Sequence, residues 1–266
     1  MRDLIAFSTR LPVGVRGGDL ERAAEQSFLY PVLAVLISVF VAAVSFLASF
    51  LSPEVAALLT LLALYATTGL MHLDGLADFS DGLFASGGAE QKVKAMKDET
   101  VGAAGVFAVF VVLLAEFVAF LDVCAGAAAH GVTNYTAAFL SIFAALVVAE
   151  TSAKLGMTTC IFAGRLVRTP AAAAGLGALF TSRLTPQKYA IAVVVSVAIA
   201  AFLLRLCGGK AFLTLLGAPV AALVARAAAK NFGGVSGDVM GATNEIARAC
   251  TLVAWVLVGH LTSQMP

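Results

Sequence analysis

Runs of about 20 apolar residues, one after another, constrain this chain more than any other feature. A helix needs about 20 such residues to cross a hydrocarbon layer about 30 Å thick. Seven stretches qualify: residues 31–51, 53–70, 103–121, 137–157, 189–206, 211–225 and 246–262. Within lipid every backbone N–H and C=O must be satisfied inside the element, which selects helices or closed barrels. The runs are continuous rather than alternating, so helices are expected. The sixth is short and carries Pro219, so a kink, a tilt or a re-entrant path is expected there. Residues 4–15 are partly apolar but too short to span and are broken by Arg10. They read as an interfacial helix, not a signal peptide.

The expected fold is therefore all-α: a polytopic membrane bundle of about seven transmembrane helices with an interfacial N-terminal helix, forming one domain over residues 1–266. Composition agrees. The chain is 61% hydrophobic and 12% charged, against roughly 45–50% and about 25% in soluble domains. A soluble enzyme and a disordered chain are both excluded. A net charge of +1 gives no reason to expect nucleic acid as a partner.

Lys and Arg in the connections set the orientation. One side collects Arg2, Arg10, Arg16, Arg22, Lys92, Lys94, Lys97, Arg165, Arg168, Arg183, Lys188, Arg226, Lys230 and Arg248. The other holds Lys210 and Arg205. The basic side is expected to face the cytoplasm. It also carries the clustered acids Asp74, Asp78, Asp81, Asp98, Glu99, Asp238 and Glu245, so any chemistry is expected on that face of the cell membrane.

Two motifs stand at those ends. The first runs His72, Leu73, Asp74, Gly75, Leu76, Ala77, Asp78, Phe79, Ser80, Asp81, Gly82. On a helix its three aspartates fall at i, i+4 and i+7, on one face. Stacked like charges are tolerable when a divalent cation sits among them, and hard oxygen ligands with room for water and phosphate suit Mg²⁺. The bland reading is a solvated helix end facing loop lysines. The second motif, residues 231–245, has Gly233, Gly234, Gly237 and Gly241 close together, with Asp238, Asn244 and Glu245 following. Its backbone N–H groups could cradle phosphate, though glycines also serve membrane-helix packing. A shorter stretch sets Lys97 beside Asp98 and Glu99.

Within the spans, Glu150 and Lys154 are four apart and are expected to pair, while Glu116 has no partner nearby in sequence. Cys124, Cys160, Cys207 and Cys250 show no metal or redox spacing and read as small apolar filler.

The first motif, with Met96, Lys97, Asp98 and Gly102 after it, resembles the signature of the cobalamin (cobamide) synthase family, the adenosylcobinamide-GDP ribazoletransferases. Phe7, Ser8, Thr9, Arg10, Leu11 and Pro12 are similar to that family's opening. Residues 233–238, Gly241, Ala242 and Glu245 are similar to its closing motif. The resemblance runs in order along the chain. It implies transfer of the phosphocobinamide part of adenosylcobinamide-GDP to α-ribazole or its 5′-phosphate, with GMP leaving, late in vitamin B12 assembly. Such a transfer needs a neutralised diphosphate, in-line positioning and a proton acceptor.

On that reading Asp74 and Asp78 are expected to hold Mg²⁺, with Asp81 as a third ligand or as base. Lys97 and His72 are the other catalytic candidates. Arg10, Asp98, Gly233, Gly234, Gly237, Asp238, Asn244 and Glu245 are expected to bind substrate. Membrane lipid, a second copy of the chain and other corrinoid-assembly enzymes are the expected partners. The nearest rival enzyme is a CDP-alcohol phosphotransferase, but the arginine of its motif is absent here, where Asp78 follows Ala77. A cation-coupled transporter would place its charges at the midplane in repeats, and none is evident.

Overall fold

The computed structural model describes residues 1–13, 19–130, 134–166 and 175–264; Arg16 and Arg168 of the orientation argument lie outside them. All regular structure among the described residues is helical. Proline and capping residues explain several starts. Pro53 opens α4 (Pro53–Thr68) after Ser52, whose side chain accepts the Val55 N–H. Pro186 opens α10 (Pro186–Cys207) after Thr185, which accepts the Lys188 N–H. A missing N–H is harmless in a first turn, where no intrahelical acceptor exists.

The N-terminal segment is α1 (Arg2–Ser8) and α2 (Leu20–Glu25). The expected helix over 4–15 is thus shorter, ending before Thr9, and Leu4 is buried rather than lipid-facing. Then come α3 (Tyr30–Ala48), α4, α5 (Met71–Phe84), α6 (Ala89–Met96), α7 (Ala103–Ala129), α8 (Tyr135–Leu166), α9 (Gly175–Arg183), α10, α11 (Gly217–Phe232) and α12 (Gly237–Ser263). Among the described residues five helical runs are long and apolar enough to cross a membrane, or six if the bent pair α4–α5 counts as one span. This is a multi-pass membrane protein.

Separate runs number fewer than the seven expected spans for two physical reasons. First, α4 stops at Gly69, whose φ of 73° is a left-handed conformation that favours glycine, and α5 leaves at 92° to it. Second, Pro186–Phe232 counts as one helical run but doubles back. Tyr189, near its start, has its hydroxyl 3.1 Å from that of Thr159 in α8. Lys210 lies over the Trp255 ring, far along α12. Asn231, at its end, accepts a hydrogen bond from Lys92 of α6. The run is therefore two passes. Its reversal is a 3-10 segment, Gly208–Leu215, which leaves Pro219 in the first turn of α11, where it need not kink the helix.

The central helix is α8, 32 residues long and packed by α3, α7, α10, α11 and α12. Every residue from Ala144 to Thr158 is buried, while Leu47, Phe107, Phe110, Phe202 and Leu223 point outward on the surrounding helices. A helix buried on all sides needs small contact residues so that neighbours can approach. A β-carbon on Gly217 would collide with the Ser152 carbonyl, and one on Gly156 would come within 3.0 Å of the Gly217 carbonyl. Gly217→Val should therefore cost about 1–3 kcal/mol through overpacking. A lowered unfolding midpoint in detergent would register it; an unchanged one would show that α11 can shift away.

Candidate active site

The site is built on the crossing of α5 and α12. A β-carbon on Gly75 would lie 2.9 Å from the Asp238 carbonyl, and one on Gly241 would lie 3.2 Å from the His72 backbone. With glycine at both positions the helices touch backbone to backbone. Ser236 caps α12, accepting the Val239 N–H, and Asp238 sits in its first turn, where an acid is favoured by the helix dipole. This contact places Asp74 and Asp78 of α5 beside Asp238.

Asp78 feels the like charges of Asp74, Asp238 and Asp81. No ion pair involves Asp74, Asp78 or Asp238 among the described residues. Asp74 is exposed, while Asp78 and Asp238 are half-buried. Asp81 is used differently. Its carboxylate accepts the Gly102 N–H at 2.7 Å and the Gly105 N–H at 2.9 Å. Both amides belong to the start of α7, whose N-cap, Gly102, has no side chain to offer. Asp81 therefore caps α7 from outside, with both carboxylate oxygens engaged there. No group of three or more His, Cys, Asp or Glu among the described residues is arranged to hold a metal ion.

Two adjoining cavities open here. One, of about 250 Å³, is lined by Met96, Lys97, Gly234, Ser236, Gly237 and Asp238 among others. The other, of about 240 Å³, is lined by His72, Asp74, Gly237, Asp238 and a group of aromatic and methionine side chains. Leu176, Gly237 and Asp238 belong to both. Lys97, Gly234, Gly237, Asp238, Asp74 and His72 are thus brought to one cleft.

Other expected residues lie elsewhere. Gly233 closes α11 in a left-handed conformation, φ 75°, and lines neither cavity. Arg10 packs against Gly69 at the α4–α5 break, its N–H bonded to the Thr67 carbonyl. Asp98 accepts from the N–H and hydroxyl of Thr100, which hold its carboxyl below the usual range; it shapes the turn into α7. Asn244 and Glu245, expected to bind substrate, are fully buried.

They belong to an ionic cluster below the cleft. Arg248 donates to Glu150 at 2.5 Å, to Glu245 at 2.6 Å and to Glu116 at 3.4 Å. The Tyr65 hydroxyl lies 2.9 Å from Glu116 and 2.7 Å from Glu245, and its one proton serves one of the two. Lys154 donates to Asn244, which donates in turn to Glu245, both at 2.9 Å. Two readings change accordingly. Arg248 is no loop cation but has no exposed side chain at all, and Glu150 pairs with it rather than with Lys154. The clue in sequence was Glu245 lying three residues before Arg248; Tyr65 carried none. His72 links cluster and cleft, its Nδ1 3.8 Å from Glu245 Oε1.

Removing Arg248 would strand buried carboxylates, so Arg248→Met should cost about 3–5 kcal/mol or prevent folding. Asp81→Ala should cost about 0.5–2 kcal/mol, the range of a lost helix cap. Unfolding curves in detergent measure both; an Asp81→Ala protein as stable as the parent would refute the capping role.

Residues 1–256 match the family described as cobalamin-5-phosphate synthase. The adenosylcobinamide-GDP ribazoletransferase of Thermococcus kodakarensis is 35% identical, over 97% of this chain and 98% of its own. That of Pyrococcus abyssi is 37% identical over 95% and 96%, and that of Methanosarcina barkeri 34% over 96% and 91%. No solved structure matches the chain. With the match running from the first helix through the Asp74 motif to α12, the chain belongs to the cobalamin-5-phosphate synthase family.

Proposed function

We propose that the protein transfers the phosphocobinamide group of adenosylcobinamide-GDP to α-ribazole or its 5′-phosphate and releases GMP, at the cytoplasmic face of the cell membrane. The observation that carries this reading is the convergence of Lys97, residues 234–237, Asp74 and Asp238 on one cleft, with Asp78 close enough to feel both aspartates, in a chain matching the family along nearly its whole length. The location is supported by charge. Arg2, Arg22, Lys92, Lys94, Lys97, Arg165, Arg183, Lys188 and Lys230 lie in the segments at the cleft end, as the positive-inside rule expects of a cytoplasmic side.

In the reaction an acceptor ribose hydroxyl attacks the phosphorus nearest the corrin's aminopropanol arm. The new O–P bond forms as the bond to GMP breaks, and the hydroxyl proton must leave. His72, in the cleft wall with its Nδ1 3.8 Å from Glu245, takes that proton. Lys97 and the amides of the glycine-rich turn hold the departing phosphate charge.

One or two of Asp74, Asp78 and Asp238 suit a cation that is not caged by protein. Magnesium is commonly bound by one or two carboxylates, with water and substrate phosphates filling its other positions. Crowded acids with no paired cation are consistent with that donor set. Bound there, Mg²⁺ would neutralise diphosphate charge.

Purified protein given adenosylcobinamide-GDP, α-ribazole and Mg²⁺ should form the joined corrin and GMP, and a chelator should stop it. Asp74→Asn should abolish turnover without changing the unfolding midpoint. His72→Gln should slow it about 10²–10⁴-fold, the usual contribution of a positioned acid or base. Undiminished GMP release by Asp74→Asn would remove that residue from the chemistry, and full turnover in chelator would remove magnesium.

A further inference from the structure

The second lobe of the cleft has a wall that diphosphate chemistry does not account for. Phe7, Tyr30, Met71, Met157 and Met240 form it, and two rings with three thioethers have little to offer a phosphate. Its polar groups, His72, Asp74 and Asp238, come from the α5–α12 crossing, where Gly75 and Gly241 let the helices touch. The lobe is therefore apolar over most of its wall, with its polar groups supplied at that crossing, as ligand pockets commonly are.

We infer that this lobe is the subsite for the aromatic base of the acceptor nucleoside, and that it favours flat heteroaromatic bases with few hydrogen-bonding groups over guanine. The inference rests on the transfer proposed above. Size is the first argument: about 240 Å³ admits a bicyclic base but not a corrin macrocycle. Polarity is the second. Guanine presents donors and acceptors around its edge, and against methionine and phenylalanine most of them would be left unpaired, a costly outcome. A benzimidazole-type base presents mainly its faces and carbon edges. The adjoining lobe, with Lys97, Ser236 and backbone of the glycine-rich turn, suits the nucleotide half of the donor better.

Adaptability is the third argument. Methionine is unbranched and polarisable, packs favourably on aromatic rings and fills irregular space. A wall with three of them accommodates bases with differing substituents, so the enzyme accepts several related lower-ligand bases. Orientation follows from the same geometry. A base among Met71, Met157 and Met240 leaves its ribose at the polar side, where His72 and Asp74 meet the hydroxyl that reacts.

The test separates the two lobes. Met71 is 43% exposed, so substitution there spares the core; Phe7 packs on the buried Phe180, so the unfolding midpoint is measured beside each variant and Met71→Trp decides if Phe7→Ala is destabilised. In the full-length protein in detergent, equilibrium dialysis with α-ribazole and steady-state kinetics with both substrates are compared for parent, Phe7→Ala, Met71→Trp and Lys97→Gln. Phe7→Ala and Met71→Trp should weaken α-ribazole binding and raise its KM about tenfold, the low end of what a reshaped apolar pocket costs, with the donor's KM nearly unchanged. Lys97→Gln should do the reverse. A parent that makes product while both rim variants bind α-ribazole normally would overturn the subsite and leave the transfer standing. A parent that binds α-ribazole, with binding lost in the rim variants, yet forms no product would overturn the transfer and leave the subsite standing. A rise in the donor's KM alone in the rim variants would assign the lobe to guanine instead.

Discussion

A guanidinium buried in a membrane bundle sets the terms for everything around it. Arg248 has no exposed side chain and faces carboxylates from α7, α8 and its own helix, with the Tyr65 ring of α4 5.6 Å from its charge. An unpaired ion there would cost several kcal/mol, so the helices that supply partners are tied to one register. That register fixes α12. Because α5 rests on the first turns of α12 through Gly75 and Gly241, the same constraint positions Asp74, Asp78 and His72. The cleft is an indirect consequence of an ionic contact a few turns below it.

Similar carboxylates on one helix have been given opposite work by their surroundings. Asp81 faces the start of α7, where the first amides of a helix have no intrahelical acceptor, and its oxygens satisfy them. Asp74, two turns earlier, faces the cavity. Nothing in the side chains differs; the neighbouring helix end does. Asp98 and Lys92 show the same division, one closing a turn onto Thr100 and the other joining α6 to Asn231 and the Leu83 carbonyl.

The cleft itself gathers helix starts, a tight turn and a helix end rather than the middle of any span. Residues 234–237 and Lys97 border one lobe, and the α5–α12 crossing joins it to the other. A reaction that joins two large solutes needs an opening at the bundle's end, while the hydrocarbon-buried part below it provides rigidity. That arrangement agrees with a donor and an acceptor held side by side, their reacting groups meeting near Asp238.

Continuous apolar runs, basic connections and the two acid-bearing motifs were enough, without coordinates, to mark a multi-pass helical protein whose polar chemistry gathers at one end, because burial in lipid leaves only helices for such runs and charge avoids hydrocarbon. The order of motifs along the chain was likewise enough to suggest the family. What the chain could not announce was which polar groups meet across helices. Arg248 looked like a loop cation and Glu150 like a partner for Lys154, since local spacing reveals only contacts within one helix. The bend at Gly69, the reversal after Cys207, the capping of α7 by Asp81 and the union of His72 with Glu245 all depend on backbone approach between distant segments. Packing alone decided them, because the free energy of a buried charge depends on every neighbour it meets, not on its position in the sequence.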